Sequence, residues 1–582
     1  MSVLDTPRVY FRGQMTWDPI VTNNYVQLYD QATGKPVLGD ATADEYRERA
    51  RQAVTNGNWN PHGTHRSTLF ETTVSGVDLG DGPAVDDALV GVPVSFTGML
   101  VDLQPYGSTT SQLFFDQLSV GIEGGSQILA PCGGPMVARR INFTRNNTYR
   151  VIAGVASVVW QTSFPSDGGL LVHPRGSAVL EALREILAHE ENVGLTVRMN
   201  AYRTVYYDTE QPTGQDAETL AARIAQGGFH PNPARGMIVG VIGPWRKGEP
   251  PSVPGDRVLA RAPNSLVSTA FAKVGGHRLT IDLGNSIPET GFDLRKLDLG
   301  PLHVVAKAAT GDVALGTLEY SCYDTAAYTA TSGLAELTLD EAQARAALGA
   351  DLEVRTEQGA ALLTEQPLTV CPDPPNLYLE EGEAAIVELR AFERGCRPSS
   401  PVSITIVELD GPLPPMQVVT DDEGKATLPV SGGRAGGWTW ILLAWRGQAP
   451  QPPARLVPEL DEYLALRTTP ADADIAALEP TWQNVHQHVL RYWEALAPCM
   501  DNWLRLSDEE QCRAYARLVR RLTGRERFND FRYMPVTRDL TKGQRTLLHN
   551  WCDAVLGRPS AALEAPETPE AALQPTPFGR GF

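Results

Sequence analysis

Apolar residues that recur every second position dominate the first half of the chain. Three runs within residues 67–123 are rich in β-branched and aromatic side chains and end at Gly, Asp or Pro. Residues 150–164, 194–207 and 236–245 continue this pattern. Such runs are typical of β-strands bounded by turns. We therefore predict a β-rich architecture for this half of the chain.

One helix and two hairpins are expected within this region. Residues 176–191 carry leucines at spacings of three and four, which predicts an amphipathic helix. Two alternating runs meet at Gly275-Gly276, and glycine accepts the positive φ of tight hairpin turns. Residues 303–320 repeat that pattern. Hairpins favour antiparallel sandwiches or barrels over βαβ units.

The apolar pattern becomes helical after a proline-rich segment at residues 448–458, which we interpret as a linker. Pro498 predicts a kink in the first helical stretch. The sequence Ser-Asp-Glu-Glu at 507–510 predicts a capping box at the start of a helix, and Gly557 predicts the end of another.

These patterns predict a mainly β fold with α: antiparallel β-sandwich or barrel domains, an immunoglobulin-like (Ig-like) β-sandwich and a C-terminal helical segment. The domains expected in chain order are a β-rich domain or domain pair at 1–375 with a break near 235–260, the Ig-like sandwich at 376–450, a helical domain at 451–557 and a disordered tail at 558–582.

Composition and charge exclude several classes of protein. At 582 residues the chain is long enough for about three or four domains. Its net charge of −19 argues against a nucleic-acid partner, because phosphate binding needs clustered Lys and Arg. No stretch is apolar enough for a membrane span. The seven cysteines are scattered without a Cys-x-x-Cys pair, so reduced thiols in the cytoplasm are expected.

The first residues raise a separate question, since an apolar run at Val9–Phe11 lies between Arg8 and Arg12. A secretory signal would need a longer uninterrupted apolar stretch. We therefore expect this run to be the first strand of the fold, with its apolar side chains inward and its arginines outward.

Several peptides along the chain resemble one known family. They are, in order, MSVLDTPRVYFRG with Asn23-Asn24 beyond it, GLTVRMNAY, IVGVIGPWRKGEP, NLYLE, HVLRYWEALAPCM, SDEEQCRAYARLV and YMPVTRDL. Together they resemble the N-terminal half of the bisindole imine dimer synthases, the iminophenylpyruvate-dimer or chromopyrrolate synthases of violacein, rebeccamycin and staurosporine pathways. The likeness runs discontinuously from residue 1 to about residue 557.

The resemblance implies a place in oxidative secondary metabolism. Members of that family couple two molecules of an indolepyruvate-derived imine. They are about twice as long, with a ferritin-like second half, and the rebeccamycin-type members are haem proteins. Here a Pro/Ala-rich tail stands where the linker to that half would lie, and the carboxylate helices of a di-iron bundle are absent from the sequence. Coupling chemistry of that half is therefore not expected here.

The family resemblance points to His488 as a candidate haem ligand, with Tyr492, Tyr533 and Arg538 as further cofactor-binding candidates. Neutral imidazole is the usual proximal ligand of haem iron. On a helix, Tyr492 shares the face of His488 at i+4. The alternative is a hydrogen-bonded histidine in the protein core.

A metal site is the second candidate. His62 and His65 are three residues apart, and Asp102 or Glu71 would supply a third ligand. We name His65 and Asp102 as the predicted ligands. The alternatives are a surface-loop histidine and an aspartate that makes local hydrogen bonds near a turn.

Arg538 and Asp539 lie in a connector between two predicted helices. They would bind a substrate carboxylate, or would pair with each other and cap a helix. Capping is favoured, because Asp539 closely precedes the helix after Leu540-Thr541. Trp482, Trp493 and Trp503 are expected to be core residues.

Two functions follow. The first is a binding or assembly subunit that docks a separately encoded ferritin-like protein or holds an aromatic metabolite. The alternative is a haem-dependent oxidative enzyme, an oxidoreductase acting on imines derived from aromatic amino acids. The terminal peptide FGRGF on a Pro-rich tail is a further candidate docking motif.

Overall fold

A computed structural model describes most of the chain. The described residues are 1–16, 27–30, 32–53, 66–103, 109–142, 157–205, 235–290, 295–409, 411, 413–496 and 504–558. His62, His65, Trp503 and the tail from residue 559 lie outside these ranges.

The first sheet contains nine antiparallel strands and closes on itself, because its first strand pairs with two others. Its strands are Arg8–Thr16, Arg66–Asp78, Pro83–Ala84, Thr97–Asp102, Ser111–Phe115, Met136–Asn142, Ser157–Pro165, Asn192–Val205 and Arg235–Arg246. The predicted barrel-like arrangement is thereby confirmed. Apolar side chains fill the interior, as expected for eight strands around a closed circuit.

Close packing inside this sheet constrains its glycines. Gly240 lies beneath the Phe11 ring, and a Cβ added at this glycine would lie 2.1 Å from Cζ of Phe11. The first strand also corrects one expectation: Arg12 is exposed, but Arg8 is 1% exposed. Arg8 turns inward because Asp78 accepts from its guanidinium at 2.9 Å, which offsets the cost of burial.

A small sheet and a helix cover part of the first sheet. The small sheet contains Val94–Ser95, Gln117–Gly121, Gln127–Pro131 and Leu171–His173. The helix Ala178–Leu187 confirms the prediction for residues 176–191, and the Ser177 hydroxyl caps it by accepting from the Leu180 amide.

The second sheet has eight antiparallel strands: Arg257–Arg261, Ala270–Gly275, Arg278–Asp282, Leu302–Ala308, Gly311–Leu318, Leu334–Thr338, Asp351–Arg355 and Ala361–Gln366. Both predicted hairpins are present. The turn of the first is one residue later than expected, because Gly275 pairs with Arg278 and Gly276 takes the positive φ. Helices Thr325–Thr331 and Glu341–Gly349 accompany this sheet.

A two-sheet sandwich follows. One sheet contains Leu368–Asp373, Ala384–Glu393 and Lys425–Ser431; the other contains Asn376–Glu380, Ser403–Glu408, Met416–Val419, Gly436–Trp445 and Glu462–Thr469. Their inner faces share one apolar core. The last strand lies beyond the proline-rich segment, so the helical segment begins at Ala473 and not at 451. All eight residues of Glu462–Thr469 are buried, because this strand lies between two neighbouring strands of its sheet.

The C-terminal segment is helical, as predicted. Its helices are Ala473–Ala476, Trp482–Val485, the π-helical turn His486–Leu490, Arg491–Leu496, Glu509–Ala514, Ala516–Leu522 and Lys542–Val555. They share a core of their own. Shorter elements elsewhere are the helix Ala43–Ala53, the strand pair Tyr29–Asp30 and Lys35–Pro36, and the pair Glu289–Thr290 and Arg295–Lys296. Within the described ranges, no helix combines the length and apolar character that a membrane crossing requires.

Candidate functional site

His488 lies in the π-helical turn His486–Leu490 and is half-buried. Gln544 donates from Nε2 to the backbone carbonyl of His488 at 2.9 Å. The neighbouring His486 stacks on Trp482 with ring centroids 5.6 Å apart. Single π-turns within helices occur frequently at functional sites, so this turn is the strongest local support for a role of His488.

Tyr492 and the pair Tyr533 and Arg538 occupy different surroundings. Tyr492 is partly buried against an apolar cluster that contains Leu28 and Leu38. Tyr533 is 1% exposed, and its ring lies 5.3 Å from that of Phe528.

All three nitrogens of the Arg538 guanidinium donate hydrogen bonds to the protein. It donates to the backbone carbonyls of Phe528, Val536 and Asp530 at 3.2, 2.7 and 2.9 Å. Its Cζ lies 3.4 Å from the ring centroid of Phe114, a cation–π contact in a desolvated place. Burial lowers the pKa of Arg538 to about 10, against the opposing influence of nearby tyrosines.

The burial of these side chains shows which of them have room for a haem beside them. Arg538 and Tyr533 are buried among protein groups and have no free face for a propionate or a porphyrin, whereas His488 is half-buried. The haem assignment therefore depends on His488 alone and stays a prediction.

Asp539 is the centre of a buried polar cluster that joins three parts of the chain. Its carboxylate accepts from the Tyr29 hydroxyl at 2.9 Å, from Nε1 of Trp493 at 3.1 Å and from the Thr537 hydroxyl. Arg467, from the sandwich, donates to the Tyr29 oxygen at 2.7 Å. Charge-assisted bonds of this kind are strong where water is excluded.

This geometry corrects the expectation that Asp539 caps a helix. The Thr541 side chain caps Lys542–Val555 instead and forms a capping box with Gln544. Asp539 lies two residues before that cap and contacts other parts of the chain. Sequence position alone did not distinguish the two roles, because two of its partners, Tyr29 and Trp493, are distant along the chain.

The structure describes Asp102, one of the two predicted metal ligands, and Glu71, the alternative third ligand. Asp102 is buried and accepts from the Ser111 hydroxyl on the neighbouring strand. Glu71 accepts from Nε2 of Gln14 at 2.7 Å. His65 lies outside the described residues, so its role stays a prediction. Among the residues that the structure describes, no three His, Cys, Asp or Glu side chains are grouped as metal ligands.

A second buried network crosses from the first sheet to the second. Arg198 contacts Asp256 and lies 3.2 Å from Asp282, and all three are nearly inaccessible to solvent. The N-terminal ammonium of Met1 also contacts Asp256. Burial opposes ionisation of Asp256, but these two cations lower its pKa to about 2. Sequence reasoning missed this network, because arginine on a strand is usually an exposed residue.

A cleft of about 280 Å³ lies beside this network, between the second sheet and the sandwich. Lys273 and Val274 line one wall, and residues 393–397 line the other. Arg394, Cys396 and Arg397 project from this loop. The cleft was not predicted, although the loop sequence Glu-Arg-Gly-Cys-Arg between two strand patterns was a visible signal.

Comparison with known proteins places the chain beside one curated relative. The chain is 27% identical to the 2-imino-3-(indol-3-yl)propanoate dimerase of Chromobacterium violaceum, over 97% of this chain and 59% of that protein. The chain therefore spans less than two thirds of the relative's length. No protein-family model matches the chain.

Solved structures resemble the chain only weakly. The extracellular domain of a hybrid two-component system from B. thetaiotaomicron gives a TM-score of 0.12 at 7% identity, over 70% of this chain and 55% of that one. The native conformation of E. coli alpha-2-macroglobulin gives 0.13 at 8% identity, over 80% and 27%. Neither fold is assigned to this chain. The sequence relative, in contrast, confirms the resemblance carried by the motifs: the chain is related to the bisindole imine dimer synthases along nearly its whole length.

Proposed function

We propose that this chain is a binding and assembly subunit related to the bisindole imine dimer synthases, which docks a ferritin-like partner or holds an aromatic metabolite. The main support for this proposal is that Arg538 and Tyr533, two predicted cofactor residues, are buried among protein atoms. With Asp539, they hold the helical segment against the sheets. Their contacts support a scaffold role, since the Arg538 guanidinium and the Asp539 carboxylate bond to protein groups and the Tyr533 ring packs on Phe528.

The greater length of the C. violaceum relative supports the docking half of this proposal. The match leaves about two fifths of that protein without a counterpart here. The docking role proposes that a protein similar to that remaining part binds this chain.

Co-expression tests the docking role. The full chain is expressed with the part of the C. violaceum dimerase that it does not match, and the mixture is analysed by size-exclusion chromatography with light scattering. We expect one species whose mass is the sum of the two components. Separate elution of two components, each folded by circular dichroism, would refute the docking role. An unrelated ferritin-like protein serves as the control for nonspecific association.

One observation favours the haem-dependent enzyme as a second candidate: the half-buried His488 lies in a π-helical turn. A haem bound there would supply the one-electron chemistry that oxidative coupling of aromatic imines requires. His488 would be the iron ligand in that case. An absorption spectrum of protein expressed with iron and a haem precursor distinguishes the two functions.

A further inference from the structure

The cleft between the second sheet and the sandwich has a fixed shape. The loop 393–397 is packed tightly against the second sheet, because a Cβ added at Gly395 would lie 2.8 Å from the backbone nitrogen of Arg257. Gly395 has a φ of +69°, which also favours glycine. The wall that carries Arg397 is therefore held in place by backbone contacts.

The anionic side chains of the cleft are compensated by cations. Glu393 accepts from Arg446 at 2.8 Å and from the hydroxyl of Ser399 at 2.7 Å. Although its partial burial opposes ionisation, these contacts lower the pKa of Glu393 to about 2. Asp256 is bound by Arg198 and by the ammonium of Met1. Both carboxylates are therefore charged and already paired at neutral pH.

Four cationic side chains line the cleft, and three of them have carboxylate partners. These pairs are Arg257 with Glu365 at 2.5 Å, Lys273 with Asp5 at 2.5 Å and Arg394 with Asp351 at 2.7 Å. The fourth is Arg397. Among the described contacts, it makes one hydrogen bond, from Nε to the backbone carbonyl of Asp422 at 2.8 Å.

The positive charge of Arg397 favours one class of ligand in the cleft. Arg397 is exposed at the mouth of the cleft, and its two terminal nitrogens make no described hydrogen bond. A planar guanidinium edge matches the two oxygens of a carboxylate. One unpaired cation balances a monoanion, whereas a phosphate dianion would leave a second negative charge uncompensated.

The opposite side of the cleft is apolar. Ala272, Val274 and Leu348 line it, and Leu348 is 52% exposed. A volume of about 280 Å³ is slightly below the range of drug-sized ligand sites. The cleft therefore suits a small molecule with one apolar body and one acidic group.

We propose that this cleft binds a small monocarboxylate with an apolar body, whose carboxylate pairs with the terminal nitrogens of Arg397. The apolar body packs against Val274 and Leu348. This inference rests on the proposed binding function and gives its ligand class and place. Indole-3-propanoate combines an apolar ring with one carboxylate and therefore represents this class of ligand.

Titration calorimetry with indole-3-propanoate as the probe tests the charge requirement. We expect Arg397→Gln to weaken binding about tenfold or more, because a charged hydrogen-bonded pair is lost. Indole-3-propanamide, which lacks the charge, is expected to bind as weakly to the unaltered protein. Arg184→Gln, at an arginine 59% exposed on the first sheet's helix, is the matched control and is expected to bind normally.

Thiol labelling locates the site independently of affinity. Cys396 lines the cleft and is exposed, and Cys322 is exposed elsewhere. We expect indole-3-propanoate to slow the alkylation of Cys396 and to leave Cys322 unchanged, as measured by peptide mass spectrometry.

Other results would overturn the inference. Binding that Arg397→Gln leaves intact, or that protects Cys396 and Cys322 equally, places the ligand elsewhere. Absence of binding to the unaltered protein refutes the site outright. Neither result affects the docking role, because complex formation with the ferritin-like component is measured without the probe and is expected to be normal in Arg397→Gln.

Discussion

The side chain of His549 makes the helical segment sensitive to acid. Its Nε2 lies 2.8 Å from the hydroxyl oxygen of Thr523. Burial, together with the positive charges of Arg520 and Arg545, lowers the pKa of His549 from 6.5 to about 3. Protonation within the folded helix Lys542–Val555 is therefore costly.

The sign of the effect follows from the two pKa values. The folded value of about 3 lies below the unfolded value of 6.5, so the unfolded helix binds a proton in this range that the folded helix does not. The contribution of His549 to stability is complete above the unfolded pKa and is lost as the pH falls toward the folded pKa. At about pH 5 the loss is about 2 kcal/mol, or about a 30-fold larger open population.

Hydrogen exchange measures this loss where it occurs. Peptides from Lys542–Val555 are compared near pH 7 and near pH 5, after correction for intrinsic exchange rates. We expect protection to fall about 30-fold more in the unaltered protein than in His549→Gln, whose amide can still bond to Thr523. The helix Ala178–Leu187 contains no histidine and is the internal control. An equal loss of protection in both proteins would refute the assigned role of His549.

Two further substitutions test the contacts that hold the fold together. Asp539→Ala removes the acceptor of three donors in a buried cluster and should lower the free energy of unfolding by about 3 kcal/mol in urea titrations. The exposed Asp44→Ala is its control. Gly240→Ala places a methyl group against the Phe11 ring and should lower the melting temperature, whereas Gly133→Ala meets open space. Unchanged stability in either test variant would contradict the packing described.

Local signals were sufficient to predict many elements. The helix Ala178–Leu187 follows from short-range spacing, and so does the helix start near residues 507–510, although Asp508 and not Ser507 caps it. The hairpin near Gly276 also follows from a short turn sequence, although its register was off by one residue. In each case the interacting groups are only a few residues apart, so the sequence pattern contains the information.

Long-range polar contacts could not be predicted in the same way. Asp539 bonds to Tyr29 across 510 positions, and Arg139 reaches the sandwich near residue 375. The strand Glu462–Thr469 was missed because a proline-rich segment precedes it and its partners lie in the sandwich before that segment. Closure of the first sheet also depends on pairing between distant strands.

The candidate site was only partly visible in the sequence. His488 was identified through the family resemblance, but the π-helical turn around it was not. Arg538 was identified as a binding residue, whereas its guanidinium is taken up by backbone carbonyls. Arg397 was missed, because an arginine in a loop stands out only when the ion pairs of the neighbouring cations are known.

The absorption spectrum of the full chain, expressed with iron and a haem precursor, tests the central claim most directly. A binding and assembly subunit predicts no Soret band, with the spectrum of His488→Ala identical to that of the unaltered protein. A Soret band that His488→Ala abolishes would contradict this account and establish the haem-dependent oxidative enzyme in its place.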